Sequence, residues 1–446
     1  MNFMRVGEGN RESVINMMKG VFKLKQHETT IRKEVIAGLT SFFSIVYILA
    51  VNAKILEDAG IPLEAGIIAT VLSSFIGCLL VAFIANVPLI IVPGMGINAL
   101  FTFTIVGSLG LDYREALGAV VLSGILFVIV AFTNLRNIVT SAIPDSLKES
   151  ISVGIGLFIA FIGLQKSGIV AGSPTNFVSL GELSSPVVLA SIINLIIALF
   201  LFLKKIPGNF LITIILGTIV SYFFGLVSIN RMDTSFISFD SYKDVFLSSH
   251  LGKWSFLPFW SAVFSLVLVL VFENIGLVHS QVNGMLQAPE KNGKSLKAIS
   301  ISTIVCGLLG TSPAVSTVET AAGITTGGRT GLTSVVTGSL LLVSLFFMPF
   351  IKLVPDTAIT PILIIIGGLM MKNVVNIDFS DFTEAFPAFL VIIMIPLTYS
   401  IVDGIAFGFI AYPLVKVFSN KSKQISISSV IISLLFFTNF LLHAVG

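Results

Sequence analysis

The chain has 446 residues, of which 55% are hydrophobic and only 11% are charged, and its formal net charge is +3. A soluble domain carries about 25% charged residues, so this composition excludes an ordinary soluble fold and predicts an integral membrane protein. The small net charge argues against nucleic-acid binding. The two cysteines, Cys78 and Cys306, both lie in apolar stretches and indicate neither a disulfide nor a metal framework.

Apolar runs of about 20 residues, the length needed to cross a bilayer, recur along the whole chain. We predict an all-α polytopic membrane protein with about 14 transmembrane segments, arranged as two seven-span repeats. Because each repeat has an odd number of spans, the two must be inverted relative to each other, as in many secondary transporters. The predicted parts are a cytoplasmic N-terminal segment (1–33), a first repeat (34–228), an extracellular polar connection (229–258), a second repeat (259–418) and a C-terminal apolar segment (419–446).

Lysine and arginine residues predict the orientation of these spans. The basic N-terminus, Lys148, Lys205, Lys294 and Arg329 all fall on one side in this arrangement. Positive charge marks the cytoplasmic side, so we expect a cytoplasmic N-terminus in a plasma-membrane protein. The last apolar stretch then has three possible interpretations: an extra span, an interfacial helix, or evidence that 384–418 is one broken helix.

Two of the predicted spans are interrupted at corresponding positions of the two halves. The third span contains VPGMGINALF (92–101) and the tenth contains SPAVSTVETAAG (312–323). Proline and glycine leave backbone groups unpaired, which is tolerated at membrane depth only where protein or a water-filled cavity satisfies them. We therefore predict short strand-like stretches followed by half-helices, whose N-termini point toward a substrate site.

Two carboxylates lie inside these apolar surroundings. Glu273 stands in FSLVLVLVFENIGLVHS, and Glu319 follows the break in the tenth span. A charge at bilayer depth costs at least about 2.5 kcal/mol on insertion scales and normally faces a cavity with a function. Because burial disfavours the charged form, we expect one or both to accept hydrogen bonds from a polar ligand and to take up a proton. The alternative for Glu319 is a cap on the neighbouring half-helix.

Further candidates surround the break in the third span. The amide of Asn98 offers donors and acceptors that suit a planar ring, although it would equally satisfy the broken backbone. Gly94 and Gly96 are expected to allow a close approach of the backbone or a positive φ angle. Phe42 and Phe101 lie near the right depth to stack on a ligand, and a core role is the alternative for each.

Other polar residues have simpler interpretations. His279 lies six residues after Glu273, off the neighbouring helix face, and indicates a membrane boundary more than a proton relay. Asp403 is typical of a helix cap, and Asn52 and Lys54 of interfacial anchors. GGRTG (327–331) lacks the lysine and the following serine or threonine of a phosphate-binding loop and predicts a tight turn.

The chain resembles the nucleobase–cation symporter-2 superfamily, and in particular its AzgA-like branch of purine permeases, from about residue 30 to 416. The strings that carry the resemblance are RKEVIAGLTSFFSIVYILAVN, VPGMGINALF, GIGLFIAFIGL, VETAAGITTGGRTGLTS and PLTYSIVDGIAFG. It implies two inverted seven-span repeats, a core and a gate domain, a homodimer, and proton-coupled uptake of adenine, guanine or hypoxanthine. The proton is then the coupling ion, and no cofactor or metal is expected.

The resemblance assigns site residues through matching motifs. Gly96 and Asn98 match the third-span site, Glu319 matches the acid of the tenth span, and Val318 and Thr320 flank that acid. Glu273 matches the eighth-span acid, where the branch usually has aspartate. The glutamate is closer to the uracil and xanthine branches, but Leu277 stands where their histidine would be.

These observations predict a secondary active transporter that imports purine nucleobases by proton symport and alternating access, and not an enzyme. The alternatives are a uracil or xanthine permease of the same superfamily and an anion transporter of the same fold. Two carboxylates at the site oppose the anion transporter, because buried negative charge repels an anion.

Overall fold

The structure is a computed structural model, and it describes residues 19–133, 135, 143–173, 177–228, 239–252 and 254–445. Helices dominate both halves of this described chain. The helices of the first half are α1 (Ile31–Ile45), α2 (Ile48–Asp58), α3 (Leu63–Ile84), α4 (Met95–Ala99, continued by a π-helix at Leu100–Ser108), α5 (Tyr113–Phe132), α6 (Asp145–Lys166), α7 (Pro186–Leu203) and α8 (Asn209–Phe223).

The second half repeats this pattern. Its helices are the short α9 (Asp240–Lys243), α10 (Leu257–Val278, continued by a π-helix at His279–Met285), α11 (Asn292–Leu309), α12 (Thr320–Thr326), α13 (Gly331–Val343), α14 (Met348–Lys352), α15 (Asp356–Met370), α16 (Phe382–Thr398), α17 (Ile401–Phe418) and α18 (Ile427–Val445). Single 3-10 turns occur at Pro289–Lys291, Ser344–Phe347, Met371–Asn376 and Ser422–Gln424. The four strands are β1 (Ile91–Pro93), β2 (Val170–Ser173), β3 (Phe177–Leu180) and β4 (Ala314–Ser316).

Local sequence signals explain where several helices begin. The Thr30 hydroxyl accepts a hydrogen bond from the Lys33 amide at the start of α1. A full capping box of Asp112 and Glu115 begins α5, and Thr330 caps α13. These side chains satisfy amide groups that the first turn of a helix leaves without partners.

Nine helices of the described chain are long and apolar enough to cross a membrane, and four shorter apolar helices accompany them. The chain is therefore a multi-pass membrane protein with a mostly helical fold, as predicted. The count of 14 spans stays a prediction. We call the face of the bundle where α1 begins the N side and the opposite face the far side.

The helices pack into two groups, each drawn from both halves of the chain. The core group contains α1–α5 and α10–α13, with α5 against α11 and α3 against α13. The gate group contains α6–α8 and α15–α17, with α6 against both α15 and α16. Matching elements from the two halves thus occupy the same group, which is the arrangement expected of inverted repeats.

The two predicted breaks form one small sheet in the interior of the core group. Strand β1 pairs with β4 in antiparallel register, with Ile91 opposite Ser316 and Pro93 opposite Ala314. All six strand residues are buried. Pairing the interrupted segments with each other satisfies backbone groups that lipid could not, which confirms the strand-like stretches predicted for the third and tenth spans.

The C-terminal helices exclude one interpretation of the last apolar stretch. A Cβ atom on Gly404 would lie 2.2 Å from Ile395 Cγ1, and one on Gly408 would lie 2.1 Å from Val391 Cγ2. Helices α16 and α17 therefore run antiparallel in close contact, and 384–418 is not one broken helix. Helix α18 packs on α17 through Phe436, whose ring lies 5.8 Å from that of Phe409.

Candidate functional site

The β1–β4 ribbon defines the centre of the candidate site. A half-helix follows β1 after one intervening residue and β4 after three, and because the strands are antiparallel, α4 and α12 leave the ribbon in opposite directions. The two strand ends that lead into these half-helices are about 7 Å apart along the strand direction. Amide groups at a helix N-terminus carry partial positive charge and suit a hydrogen-bond acceptor on a ligand.

Glu273 lies at the end of the ribbon where α4 begins. Its Oε1 atom is 3.6 Å from the position that a Cβ atom on Gly94 would occupy, and the side chain is half-buried. No hydrogen bond or salt bridge from the rest of the described chain reaches this carboxylate. A carboxylate without a protein partner beside a helix N-terminus is available for a ligand or a proton.

Glu319 lies beyond the other end of β4 and has a partner. The hydroxyl of Tyr47 donates a hydrogen bond of 2.6 Å to its Oε1 atom. Glu319 occupies the N-cap position of α12, but its side chain makes no capping hydrogen bond. The structure thus gives the carboxylate a contact to α2 in place of the capping role considered from the sequence.

Asn98 is fully buried in α4 and is only partly satisfied. Its Oδ1 accepts a 3.1 Å hydrogen bond from the Ser312 hydroxyl, whereas its Nδ2 has no partner in the described chain. The Ser312 hydroxyl also lies 3.4 Å from Asn52 Oδ1, and Asn52 Nδ2 donates to Thr70 at 2.7 Å and to Thr311 at 3.2 Å. Asn98 therefore links α4 to Ser312, which precedes β4, through their side chains, and its amide donor lies buried without a partner in the described chain.

The two glycines of the third span are close-approach positions. A Cβ atom on Gly94 would lie 2.6 Å from Val315 Cγ2, and one on Gly96 would lie 2.9 Å from Ile155 Cγ2. Neither has a positive φ, so the close approach, and not an unusual backbone angle, explains them. Gly96 belongs to the contact between α4 of the core group and α6 of the gate group.

Val318 and Thr320 flank Glu319 and differ in their surroundings. Val318 is 63% exposed, whereas Glu319 itself is half-buried. Thr320 is fully buried, and its hydroxyl accepts a hydrogen bond of 3.1 Å from the Ile90 amide. Thr320 thus supports the ribbon, whereas Val318 lies at the open surface of the site.

The two candidate aromatic residues do not lie together at the open site. Phe101 is fully buried, so the structure assigns it to the core, and it presents no surface to a ligand. Phe42 is half-buried against the core, and its ring lies 5.4 Å from that of Phe43, which is 47% exposed. The side of α1 that carries Phe42 and Phe43 remains accessible.

Two polar residues of α10 that sequence reasoning missed hold β4 in place. Asn274 Oδ1 accepts a hydrogen bond of 3.3 Å from the Ser316 amide. Gln281 accepts from the Ser316 hydroxyl at 2.6 Å and donates to the Thr317 carbonyl at 2.7 Å. The sequence does contain a signal for them. Asn274 follows Glu273 directly and Gln281 stands seven residues after Asn274, so both lie on one face of an apolar helix.

Three simpler predictions meet different outcomes. Asn52 is fully buried in the polar network, so the prediction of an interfacial anchor is wrong for it. The cap of α17 is Ser400, whose hydroxyl accepts from the Asp403 amide at 3.2 Å, so Asp403 is not the cap. His279 is exposed on the N side and hydrogen-bonds to Asn283 at 2.9 Å.

The far side of the bundle is joined across the two groups. Lys166 Nζ of the gate group lies 2.6 Å from Asp58 Oδ2 at the end of α2. The Ser108 hydroxyl donates to the Tyr399 carbonyl at 3.1 Å, and the Tyr399 ring lies 5.8 Å from that of Phe103. These contacts link core and gate at the far side of the ribbon.

Within the described ranges, no group of three or more His, Cys, Asp or Glu side chains lies close enough together to hold a metal ion. Cys78 and Cys306 are buried free thiols. What the site offers is a set of hydrogen-bonding groups and two carboxylates inside a membrane bundle.

A helical membrane bundle whose two interrupted spans pair through short strands and place carboxylates beside half-helix N-termini defines a membrane transporter. The chain belongs to a family of such transporters, because the sequence model of the Permease family (Xan_ur_permease) matches residues 32–407. This match confirms the resemblance to the nucleobase–cation symporter-2 superfamily. Permeases move a solute without converting it, so the chain is not an enzyme.

Individual relatives agree with this assignment. The chain is 48% identical to the nucleobase transporter PlAzg2 of Paenibacillus larvae, over 86% of this chain and 77% of that protein. It is 39% identical to the guanine/hypoxanthine permease PbuO of Bacillus subtilis, over 94% and 99%. It is 34% identical to the adenine permease AdeP of Escherichia coli, over 94% and 95%.

The solved structures share the fold at low identity. The transmembrane domain of the cyanobacterial bicarbonate transporter BicA superposes with a TM-score of 0.64 at 18% identity, covering 84% of this chain and 97% of that one. A murine anion transporter, Solute Carrier 26 family member A9, gives a TM-score of 0.60 at 13% identity, over 87% and 68%. These likenesses show the fold alone.

Proposed function

We propose that this protein imports purine nucleobases by proton symport. The observation that carries the proposal is the pair of carboxylates at the two ends of the β1–β4 ribbon, Glu273 without a protein partner and Glu319 oriented by Tyr47. The names of the relatives also support the proposal, because they specify nucleobase, guanine/hypoxanthine and adenine transport. Neutral hypoxanthine and guanine carry two ring N–H donors, and adenine carries one ring N–H and an amino group, so each purine has donors for two carboxylate acceptors.

The proposed substrate contacts follow from the groups that are free at the ribbon. Glu273 and Glu319 accept hydrogen bonds from ring N–H groups of the purine. The Asn98 Nδ2 donor, buried and without a partner in the described chain, meets a ring nitrogen or carbonyl oxygen. The backbone amide groups at the start of α4 supply further donors.

Proton coupling follows from the same carboxylates. A carboxylate that crosses a low-dielectric region is more stable when neutral, so translocation of the loaded site favours prior protonation. Glu273 is the main candidate because no described side chain neutralises or hydrogen-bonds to it. Glu319 is the second candidate, and the Tyr47 hydroxyl donates a hydrogen bond to one of its oxygens.

Alternating access is proposed to occur by movement of the core group against the gate group. The Lys166–Asp58 pair and the Ser108–Tyr399 hydrogen bond join the groups on the far side, while Val318 beside the site is 63% exposed. Exposure of the site to the far side therefore requires these contacts to separate. Such rocking of one bundle against another around a central site is a common transport mechanism.

The orientation is proposed from charge. Lys148, Lys291 and Arg329 lie at helix ends on the N side, so we assign this side, with the N-terminus, to the cytoplasm. The division into segments 1–33, 34–228, 229–258, 259–418 and 419–446 stays a prediction, and residues 229–238 lie outside the described chain. The homodimer also stays a prediction.

The first test is uptake of radiolabelled hypoxanthine, guanine, adenine and uracil into a permease-deficient bacterial strain, with and without a protonophore. Purine uptake that collapses with the protonophore is the expected result. Uracil uptake in place of purine uptake would contradict the proposed substrate and associate Glu273 with the uracil and xanthine branches. Transport of bicarbonate or chloride, together with a failure to transport any nucleobase, would instead assign the protein to the anion transporters.

A substitution tests the assigned carboxylate directly. Glu319→Gln keeps the shape of the side chain and removes its charge, so purine uptake should fall to background while the protein remains folded in the membrane. Glu182→Gln makes the same chemical change at an exposed residue between β3 and α7 and should leave uptake unchanged. Normal uptake by Glu319→Gln would refute the role of this residue.

A further inference from the structure

We infer that Tyr47 is a positioning residue of the transport site, whose hydroxyl orients Glu319 for substrate and whose ring makes that orientation depend on the gate group. The inference rests on the proposed function, because it assigns Tyr47 a role in the site that binds the nucleobase. It concerns a residue between α1 and α2 that lies within the first string of the family resemblance but received no role there.

The hydroxyl contact is short and sheltered. Tyr47 is only 2% exposed, and its hydroxyl lies 2.6 Å from Glu319 Oε1. A hydrogen bond between a buried hydroxyl and a carboxylate is stronger than one between neutral groups. Because Tyr47 occupies Oε1, the inference assigns the second oxygen, Oε2, to the substrate.

Tyr47 lies where the first span changes from α1 to α2. Helix α1 ends at Ile45 and α2 begins at Ile48, so Tyr47 stands in the interruption of the first span. The last turns of α1 also contact α12 closely, since a Cβ atom on Gly323 would lie 2.1 Å from the Ser41 hydroxyl. The interruption in the first span is therefore held against the half-helix that carries Glu319.

The ring of Tyr47 lies at the boundary between the two helix groups. It makes an edge contact with Phe210 of α8, with ring centroids 5.0 Å apart and an interplanar angle of 71°. Phe210 in turn stacks on Phe202 of α7 at 6.1 Å. One aromatic side chain thus contacts the site carboxylate through its hydroxyl and the gate group through its ring.

The two contacts of Tyr47 couple movement of the gate group to the orientation of Glu319. When the gate group moves relative to the core group, the Phe210 contact that restrains the Tyr47 ring changes. A freed ring releases the hydroxyl, and Glu319 then loses the partner that orients it. Substrate affinity would in this way differ between the two arrangements of the groups, which is the condition for a ligand to shift such an equilibrium.

The test is hypoxanthine uptake kinetics in wild type and in Tyr47→Phe, which removes the hydroxyl and keeps the ring. We expect the KM to rise about tenfold with little change in the maximal rate, because a hydrogen bond to a charged group is lost at the substrate carboxylate. Tyr412→Phe is the matched control. Tyr412 donates to Glu384 at 3.2 Å within the gate group and away from the ribbon, so its KM should stay at the wild-type value.

A second variant tests the ring. Phe210→Leu keeps the Tyr47 hydroxyl and removes the edge contact, so we expect a fall in the maximal rate of at least about threefold with a near-normal KM. The two substitutions thus separate orientation of the carboxylate from its dependence on the gate. An unchanged maximal rate in Phe210→Leu would overturn the part of the inference that concerns the gate.

The remaining outcomes are decisive for the hydroxyl. If Tyr47→Phe abolishes uptake, binding of hypoxanthine to the purified protein decides: weakened binding supports the inference, and wild-type affinity overturns it. A wild-type KM in Tyr47→Phe overturns the inference. Failure of the Tyr47→Phe protein to reach the membrane also overturns it, because the hydroxyl would then be needed for folding. Absence of purine uptake in wild type would instead refute the proposed function.

Discussion

Glu34 provides the sharpest stability prediction, because it is a fully buried carboxylate with four hydrogen-bond donors. It lies in the first turn of α1 and receives the Arg329 amide at 3.0 Å, the Thr330 amide at 3.3 Å and the Thr333 amide at 3.3 Å. The Thr333 hydroxyl adds a fourth hydrogen bond at 2.6 Å. Glu34 thereby holds the turn that joins the site half-helix α12 to α13.

The expected effect of Glu34→Gln follows from this geometry. The amide oxygen can replace Oε2, which receives the three hydrogen bonds from Thr330 and Thr333. The amide nitrogen must then face the Arg329 amide, so two donors meet and a buried N–H loses its acceptor. One unsatisfied buried donor costs about 1–3 kcal/mol, and the bonds that remain lose the strengthening by charge. We expect a loss of about 3 kcal/mol in the free energy of unfolding.

The assay is the free energy of unfolding of the purified protein, measured by SDS titration in mixed micelles. Glu28→Gln makes the same substitution at an exposed residue just before α1 and serves as the control. Surface substitutions of this kind change stability by about 0.5 kcal/mol or less. If Glu34→Gln falls within that range of the control, the four hydrogen bonds do not stabilise the turn as reasoned here.

Two other predictions concern the ribbon and the N side. Gly94→Ala places a methyl group 2.6 Å from Val315 Cγ2, so we expect about 1–3 kcal/mol of destabilisation and reduced uptake. Gly368→Ala, where an added Cβ atom would have no described heavy atom within 4 Å apart from its own helix and chain neighbours, should be neutral in the same two assays, and equal behaviour of the two variants would refute the steric argument. Burial and the nearby Lys291 ammonium lower the pKa of His27 from its ordinary value of 6.5. The unfolded chain then binds more protons than the folded one below about pH 6.5, so stability is lost as pH falls through the folded pKa. His27→Gln should flatten this dependence in thermal unfolding measured against pH, and an unaltered profile would exclude His27 as its source.

Several parts of the fold and site were predictable because their signals are local. Proline and glycine in VPGMGINALF and SPAVSTVETAAG predict interrupted spans wherever they occur, and the structure places β1 and β4 there. An acid in an apolar run is costly in any membrane fold, so Glu273 and Glu319 were recognisable without a structure.

Other positions were not predictable, because the sequence of an apolar helix does not show which of its side chains are buried in the protein. In a membrane protein the lipid-facing and the buried faces are both apolar, so the periodicity that marks the core of a soluble helix is weak. Asn52 therefore suggested an interfacial anchor although it is fully buried, and Phe101 suggested a ligand contact although it lies in the core. The residues next to Tyr47 in the sequence do not distinguish it from other aromatic residues of the apolar spans.

The sequence by itself determined the class of protein, the two interrupted spans and the two candidate carboxylates, because composition, chain-breaking residues and buried charge act locally. Only the tertiary structure decided the register of β1 on β4, the membership of the core and gate groups, and the hydrogen bond between Tyr47 and Glu319. That bond joins residues 272 positions apart. Contacts at such separations depend on how whole helices pack, which no local pattern in an apolar chain specifies.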